Sequence, residues 1–225
     1  MRALSYAPVC HQYSADSSEA WGTLGPGWPQ GGLSVLDLGD HEVSAAWDPS
    51  EVKANCGTSI SPDGRHAVAN WSGAVVDGAD TDGEWYVFDA ETKDLLKTES
   101  AHGLDAHGMR FTPDGKRLWA VNRNSENALI IDVRTFEVIR VIDEVADTPD
   151  ILDFSPDGRL VYISQRGPHP PSGAAHAASG DQPGVAVVQA ASGRTLRVLE
   201  PPVATDEAGV VRNDVHGLGV RPLVP

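Results

Sequence analysis

The sequence predicts an all-β fold assembled from repeated units of four short strands, and two observations carry that prediction. First, one turn phrase occurs three times between short apolar runs, as Ser61-Pro62-Asp63-Gly64, Thr112-Pro113-Asp114-Gly115 and Ser155-Pro156-Asp157-Gly158. Proline presets the first central dihedral of a tight turn, and Asp-Gly tolerates the positive φ values of a hairpin. Second, no helical periodicity separates the copies, so the apolar runs are interpreted as strands.

Two further strand patterns follow each hairpin, joined by small polar turns. The third strands are Trp85–Asp89, Ala128–Asp132 and Val185–Gln189, and the fourth are Asp94–Thr98, Glu137–Ile142 and Thr195–Leu199. The motif aspartates lie 51 and 43 residues apart. A period of about 40 to 50 residues with four strands in each unit is typical of the blades of a β-propeller.

The repeat resembles the YVTN-type β-propeller family, which includes lactonase-like and nitrite-reductase-like propellers. The resemblance extends over about residues 33 to 222, although the strand from His66 lacks the family's tyrosine and Gln189 replaces a terminal aspartate. It implies rings of about seven blades and a periplasmic or secreted location. It does not imply one activity, because similar repeats occur in hydrolases, haem proteins and surface proteins.

The whole chain, residues 1–225, is predicted to be one propeller unit of about four blade-equivalents. The predicted boundaries are a partial first blade at 1–54, blades at 55–100, 101–146 and 147–205, and a closing strand at 206–225. The first blade is expected to lack its first strand, with residues 2–8 as its second. Two arrangements stay open: a four-bladed ring closed by the last strand, or part of a larger ring, which the family pattern favours.

Composition excludes some classes of function. The net charge is −15, from 17 basic and 32 acidic residues, which argues against nucleic-acid binding. No apolar stretch is long enough for a membrane span, and no signal peptide is visible at the start of the chain. Cys10 and Cys56 are too few for a disulfide framework, and spacing alone does not decide whether they pair.

Counting back seven residues from each motif aspartate reaches Cys56, His107 and Asp150, and alignment of the C-terminal segment adds His216. These four residues, here called the channel mouth, are expected where the innermost strands begin, on the face opposite the Ser-Pro-Asp-Gly turns. His107, Asp150 and His216 form a candidate site for a divalent metal. The alternative is that these side chains only satisfy backbone groups at the channel rim.

Arginines and a long insertion surround the channel mouth. Arg123 and Arg166 follow two second strands at matching positions. They either clamp a carboxylate or phosphate ligand, pair with neighbouring blades, or simply face water. The insertion from 166 to 184 contains His169 and His176 and is interpreted as a substrate lid or a surface loop.

The leading functional hypothesis is a non-enzymatic propeller whose channel mouth binds a small-molecule or protein ligand. The alternative is a metal-assisted, lactonase-like hydrolase that uses His107, Asp150 and His216. A third hypothesis is a haem-binding propeller with His107 or His216 as axial ligand. The sequence contains no phosphate loop, nucleophile elbow or zinc-protease motif. Their absence weakens the enzyme hypothesis without excluding it, because propellers build active sites from scattered channel residues. Besides haem, the cofactor that the channel-mouth residues suit is a divalent metal.

Overall fold

The computed structural model describes residues 7–25, 31–76, 79–168, 179–202, 205–211 and 214–221. These residues contain eighteen strands and no helix. Sixteen strands form four antiparallel sheets of four strands each, and the other two form a short hairpin. The predicted all-β architecture of four-stranded propeller blades is therefore confirmed.

The four sheets follow one another along the chain. The first contains β1 (Ala7–Tyr13), β2 (Glu19–Gly25), β3 (Leu33–Asp37) and β4 (Val43–Trp47). The second contains β5 (Thr58–Ile60), β6 (His66–Trp71), β9 (Glu84–Asp89) and β10 (Leu95–Ser100), and the hairpin β7 (Ala74–Val76) and β8 (Ala79–Thr81) is inserted between β6 and β9. The third contains β11 (Ala106–Phe111), β12 (Arg117–Asn122), β13 (Asn127–Asp132) and β14 (Glu137–Ile142). The fourth contains β15 (Pro149–Phe154), β16 (Leu160–Gln165), β17 (Gly184–Gln189) and β18 (Arg194–Leu199).

The hydrophobic core lies between consecutive blades. Each of the three interfaces contains a buried tryptophan: Trp21 between the first and second blades, Trp85 between the second and third, and Trp119 between the third and fourth. In the second, third and fourth blades the middle strands are mostly buried, whereas the fourth strand is largely exposed. The first strands of neighbouring blades contact one another, since β5 contacts β1 and β11, and β11 contacts β15. This packing brings the starts of the innermost strands together.

The three Ser-Pro-Asp-Gly turns have one geometry. In the second blade, Ser61 Oγ donates to Asp63 Oδ1 at 2.6 Å, and Asp63 Oδ1 also accepts from the Arg65 amide at 3.1 Å. Gly64 has a φ of 72°, a conformation that a side chain would strain. The other two turns repeat these hydrogen bonds.

The prediction of a first blade without its first strand is wrong. β1 and β2 pair as the first two strands, and the turn between them is a degenerate copy of the repeated phrase. Ser14 Oγ donates to Asp16 Oδ1 at 2.7 Å, and Ser17 occupies the glycine position with a φ of 60°. The sequence conceals this copy because alanine and serine replace the proline and glycine, while the hydrogen bonds of the aspartate preserve the turn.

The described part of the predicted closing strand, 206–225, does not form a strand. The described residues 205–211 and 214–221 form no strand, apart from an isolated bridge between Thr205 and Val211. The segment 214–221 nevertheless lies beside β15, where the Val220 amide donates to Asp153 Oδ2 at 2.8 Å. Every described strand of the first and fourth sheets pairs within its own sheet, so the two sheets do not exchange a strand.

Candidate functional site

Hydrogen bonds from the preceding blade give three of the four channel-mouth residues equivalent positions. Thr23 Oγ1 donates to the Cys56 carbonyl at 2.7 Å, Asn70 Nδ2 to the His107 carbonyl at 2.7 Å, and Ser164 Oγ to the His216 carbonyl at 3.0 Å. Each donor lies near the end of a second strand and reaches the start of the next innermost strand. His216 is thus placed as the first strand of a further blade would place it, although its own segment forms no strand.

Two β-bulges orient the central side chains. The pairing of β11 with β12 skips from Ala106 to Met109, and that of β15 with β16 skips from Pro149 to Leu152. His107 and Asp150 lie within these bulges, where an inserted residue redirects a side chain out of the regular alternation. Both side chains turn toward the channel mouth and are buried, with 5% of His107 and 0% of Asp150 exposed.

Three of the four channel-mouth side chains come together. His107 Nε2 lies 2.8 Å from Asp150 Oδ1, and His216 Nδ1 lies 3.6 Å from Asp150 Oδ2. The two imidazole rings have centroids 6.0 Å apart and an interplanar angle of 77°. Cys56 is buried as well, but its sulfur is not part of this group of mutually close ligand atoms.

The two predicted arginines complete a buried network around Asp150. Arg123 forms a bidentate ion pair with Asp105, with both N–O distances at 2.9 Å, and its Nη1 lies 3.8 Å from Asp150 Oδ1. Arg166 forms a bidentate pair with Asp214 at 3.0 Å, and its Nε lies 3.6 Å from Asp150 Oδ2. Both arginines are therefore held by aspartates of the chain itself, Arg123 within its own predicted blade and Arg166 by the segment after the fourth blade.

Sequence reasoning missed Asp214, which holds the second guanidinium. A signal was present, because Asp105-Ala106-His107 and Asp214-Val215-His216 share the spacing Asp-x-His. In both copies the aspartate forms an ion pair with an arginine, and the histidine contacts Asp150.

The protonation states follow from burial and from neighbouring charges. Burial and Arg123 oppose a proton on His107, but the Asp150 carboxylate outweighs them and raises the pKa of His107 to about 10. Burial acts against charge on Asp150 too, but His107, Arg123 and His216 lower its pKa to about 2. Burial, opposed by Asp150, lowers the pKa of His216. At neutral pH His107 is charged, Asp150 is ionised and His216 is neutral.

Several polar atoms of this network have no hydrogen-bond partner within the described part of the chain. They are His107 Nδ1 and Nε2, both carboxylate oxygens of Asp150, and His216 Nδ1. The short His107–Asp150 contact has ion-pair distance without the alignment of a hydrogen bond. Buried polar atoms are nearly always paired, so such a group of unpaired atoms in one place requires an explanation.

Two further features of the sequence are the insertion after Arg166 and the two cysteines. His169 and His176 fall outside the described residues, so the lid interpretation stays a prediction. Cys10 and Cys56 are both free thiols, and burial, with smaller effects from Cys56 and Asp150, raises the pKa of Cys10 to about 12. Within the described ranges there is no helix of the length and apolarity that a membrane crossing requires.

Comparisons of sequence find only distant relatives. No protein-family model matches the chain. Eukaryotic translation initiation factor 3 subunit I from Candida albicans is 24% identical over 159 residues, and the same subunit from Lodderomyces elongisporus is 23% identical over 158 residues. Each match covers 66% of this chain but only 43% of the relative.

Comparisons of structure find propeller proteins. Hydrazine synthase from Kuenenia stuttgartiensis matches 93% of this chain and 56% of its own, with a TM-score of 0.66 and 18% identity. A chain of the mitotic checkpoint complex matches 89% and 53%, with a TM-score of 0.65 and 14% identity, and the RRP9 WD40 repeats match 87% and 52%, with a TM-score of 0.64 and 11% identity. The chain thus spans about half the length of these structures and shares their propeller fold. The resemblance to YVTN-type repeats stays a prediction.

Proposed function

We propose that this chain is a propeller-type binding protein that engages a protein partner through the channel-mouth face. The observation that carries the proposal is the buried network centred on Asp150, with its group of unpaired polar atoms on that face. Burying ionic groups seldom stabilises a fold more than apolar packing of the same volume would. A network of this kind is better explained by use in recognition than by stability.

An acidic groove beside the network indicates the chemistry of the partner. It lies between the third and fourth blades, and its acidic lining residues are Glu126, Glu144, Asp147 and Asp181. Burial, together with Asp147 and Glu144, raises the pKa of Glu126, which shows that the negative charges are crowded. A segment of a partner that carries lysine or arginine would relieve this repulsion, so we expect a basic peptide to bind here.

A selection from a random peptide library on the immobilised chain tests this function. Enriched peptides should carry lysine or arginine and should lose binding to the double variant Glu126→Lys/Glu144→Lys. The matched control is Glu91→Lys/Glu137→Lys, which makes the same change of charge at exposed positions on the opposite face. Failure to enrich basic peptides, or equal loss of binding in both variants, would contradict the proposal.

Metal-assisted hydrolysis is a second candidate, favoured by one observation. His107, Asp150 and His216 bring two imidazoles and a carboxylate within 4.8 Å of one another, a ligand set that catalytic zinc sites use. With zinc added, turnover of a lactone that His216→Ala abolishes, while binding of the selected peptides persists, would favour this candidate. Peptide binding without turnover would favour the scaffold.

A further inference from the structure

We propose that His107, Asp150 and His216 bind one divalent transition-metal cation of the zinc class at the channel mouth. The proposal deepens the proposed function and rests on it for biological meaning, because the cation would lie on the same face that engages the partner. Its physical basis is independent of any partner and consists of the geometry, the ligand types and the charge of the described residues.

The geometry is close to that of a metal site. The three ligand atoms lie within 4.8 Å of one another, with His107 and His216 at 2.8 Å and 3.6 Å from the Asp150 oxygens. A tetrahedral zinc ion bound at about 2.1 Å separates its ligand atoms by about 3.4 Å. The His107–Asp150 contact of 2.8 Å has to lengthen to reach this separation, whereas the His216–Asp150 distance of 3.6 Å is already close to it. The His216 side chain is 41% exposed on a segment without strand pairing, so it can adjust to the ion.

The ligand types select the class of cation. Two imidazoles and one carboxylate suit zinc and the neighbouring divalent transition metals, whereas calcium and magnesium prefer oxygen ligands alone. His107 Nδ1, His216 Nδ1 and both Asp150 oxygens have no hydrogen-bond partner among the described residues. A bound cation would use donor atoms that take part in ion pairs but in no hydrogen bond.

The charge balance of the surrounding side chains is also compatible with a bound cation. Arg123 is neutralised by Asp105 and Arg166 by Asp214, each in a bidentate pair. Asp150 is the third carboxylate, and the imidazolium of His107 balances its charge, so a cation would bind in place of the His107 proton. The guanidinium groups near both Asp150 oxygens orient the carboxylate, as the second coordination sphere does in metal sites.

Three protein ligands leave at least one coordination position open. The exposed edge of the site lies at His216, whereas His107 and Asp150 are buried. A ligand group from a partner, or a water molecule, would therefore approach beside His216. This arrangement would couple occupancy by metal to recognition at the channel mouth.

Calorimetric titration of the metal-stripped chain with zinc chloride tests the proposal, and cobalt chloride provides a second readout through its visible absorption. We expect one site per chain, and we expect His216→Ala and His107→Gln each to weaken zinc binding by about tenfold or more. His216 is half-exposed, so its variant should fold even if His107→Gln does not. His41→Asn is the control, since His41 is exposed and its left-handed backbone conformation suits asparagine.

Absence of zinc binding, or zinc binding that His216→Ala leaves unchanged, would overturn the proposal. Binding of the basic peptides to the metal-stripped chain distinguishes this result from failure of the proposed function. If they still bind the stripped chain while zinc does not, only the metal site is rejected. If zinc binds and no basic peptide does, the metal site stands and the proposed function is rejected.

Discussion

Ser164 Oγ donates a hydrogen bond of 3.0 Å to the backbone oxygen of His216, and this bond reproduces the one between Asn70 and His107. Two segments of different secondary structure therefore occupy equivalent positions. The donor at the end of a second strand positions the start of the next innermost strand, and with it the side chain at the channel mouth.

The first prediction concerns this donor. Asn70→Val should destabilise the fold by about 1–3 kcal/mol, because it leaves the buried carbonyl of His107 without its donor. Valine is a conservative choice, since Val121 occupies the equivalent position in the third blade. Urea unfolding measures the change, and Thr98→Val, at an exposed position of β10, should stay within about 0.5 kcal/mol. Equal effects of the two substitutions would contradict the role of the donor.

The second prediction concerns the close approach of neighbouring blades. A Cβ atom at Gly108 would lie 2.4 Å from the Asp150 backbone oxygen, so Gly108→Ala must push the third and fourth blades apart. We expect a loss of about 3 kcal/mol or more in the free energy of unfolding. A Cβ atom at Gly217 would have no neighbouring atom within 4 Å, so Gly217→Ala should leave the stability nearly unchanged in the same thermal or urea measurement. A stable Gly108→Ala variant would refute the contact.

The third prediction concerns the degenerate turn of the first blade. Ser17 has a φ of 60° where the other turns have glycine, so Ser17→Gly should raise the stability by up to about 1 kcal/mol. The reciprocal substitution Gly158→Ser, at a φ of 69°, should lower it by a similar amount. Melting temperatures of both variants provide the check, and shifts of the same sign would disprove the equivalence of the two turns.

The fourth prediction concerns the centre of the buried network. Asp150→Asn leaves Arg123, Arg166 and His107 facing an uncharged amide, which should cost about 3–5 kcal/mol. The same substitution at the exposed residue Asp143 should change the stability by less than about 0.5 kcal/mol. Urea unfolding of the two variants in chelator makes the comparison, and a mild effect of Asp150→Asn would mean that the network is not tightly coupled.

The fifth prediction is a dependence of stability on pH. The folded-state pKa of His107 is raised to about 10, so its stabilisation is complete below about pH 6.5 and is lost as the pH rises through about 10. The pKa of Asp150 is lowered to about 2, so its contribution is present above about pH 4 and is lost as the pH falls through about 2.

Urea unfolding of the metal-stripped chain between about pH 6.5 and 10 should therefore show a loss on the order of 1–3 kcal/mol. In His107→Gln this alkaline loss should be clearly smaller, because glutamine carries no titrating proton. A variant that loses as much stability as the unchanged chain over this range would show that another group titrates.

The sequence by itself determined the repeat, because a tight turn is a local structure. Pro62, Asp63 and Gly64 specify their hairpin through their own dihedral preferences and hydrogen bonds, and the innermost strand begins a constant number of residues before it. This constancy is why counting back from the turn reached Cys56, His107 and Asp150, and why alignment of the C-terminal segment added His216. It failed in the first blade, where Ser17 takes the same conformation without the residue type that would reveal it.

Only the tertiary structure decided what those side chains do together. Arg166 and Asp214 are 48 residues apart, and their pairing depends on how the segment after the fourth blade packs against β15. The distances of His107 and His216 from Asp150 depend on two β-bulges and on the rotation between blades, which no local pattern encodes. The balance of charge around Asp150 depends on five segments that meet in space, so the packing of the blades determines it.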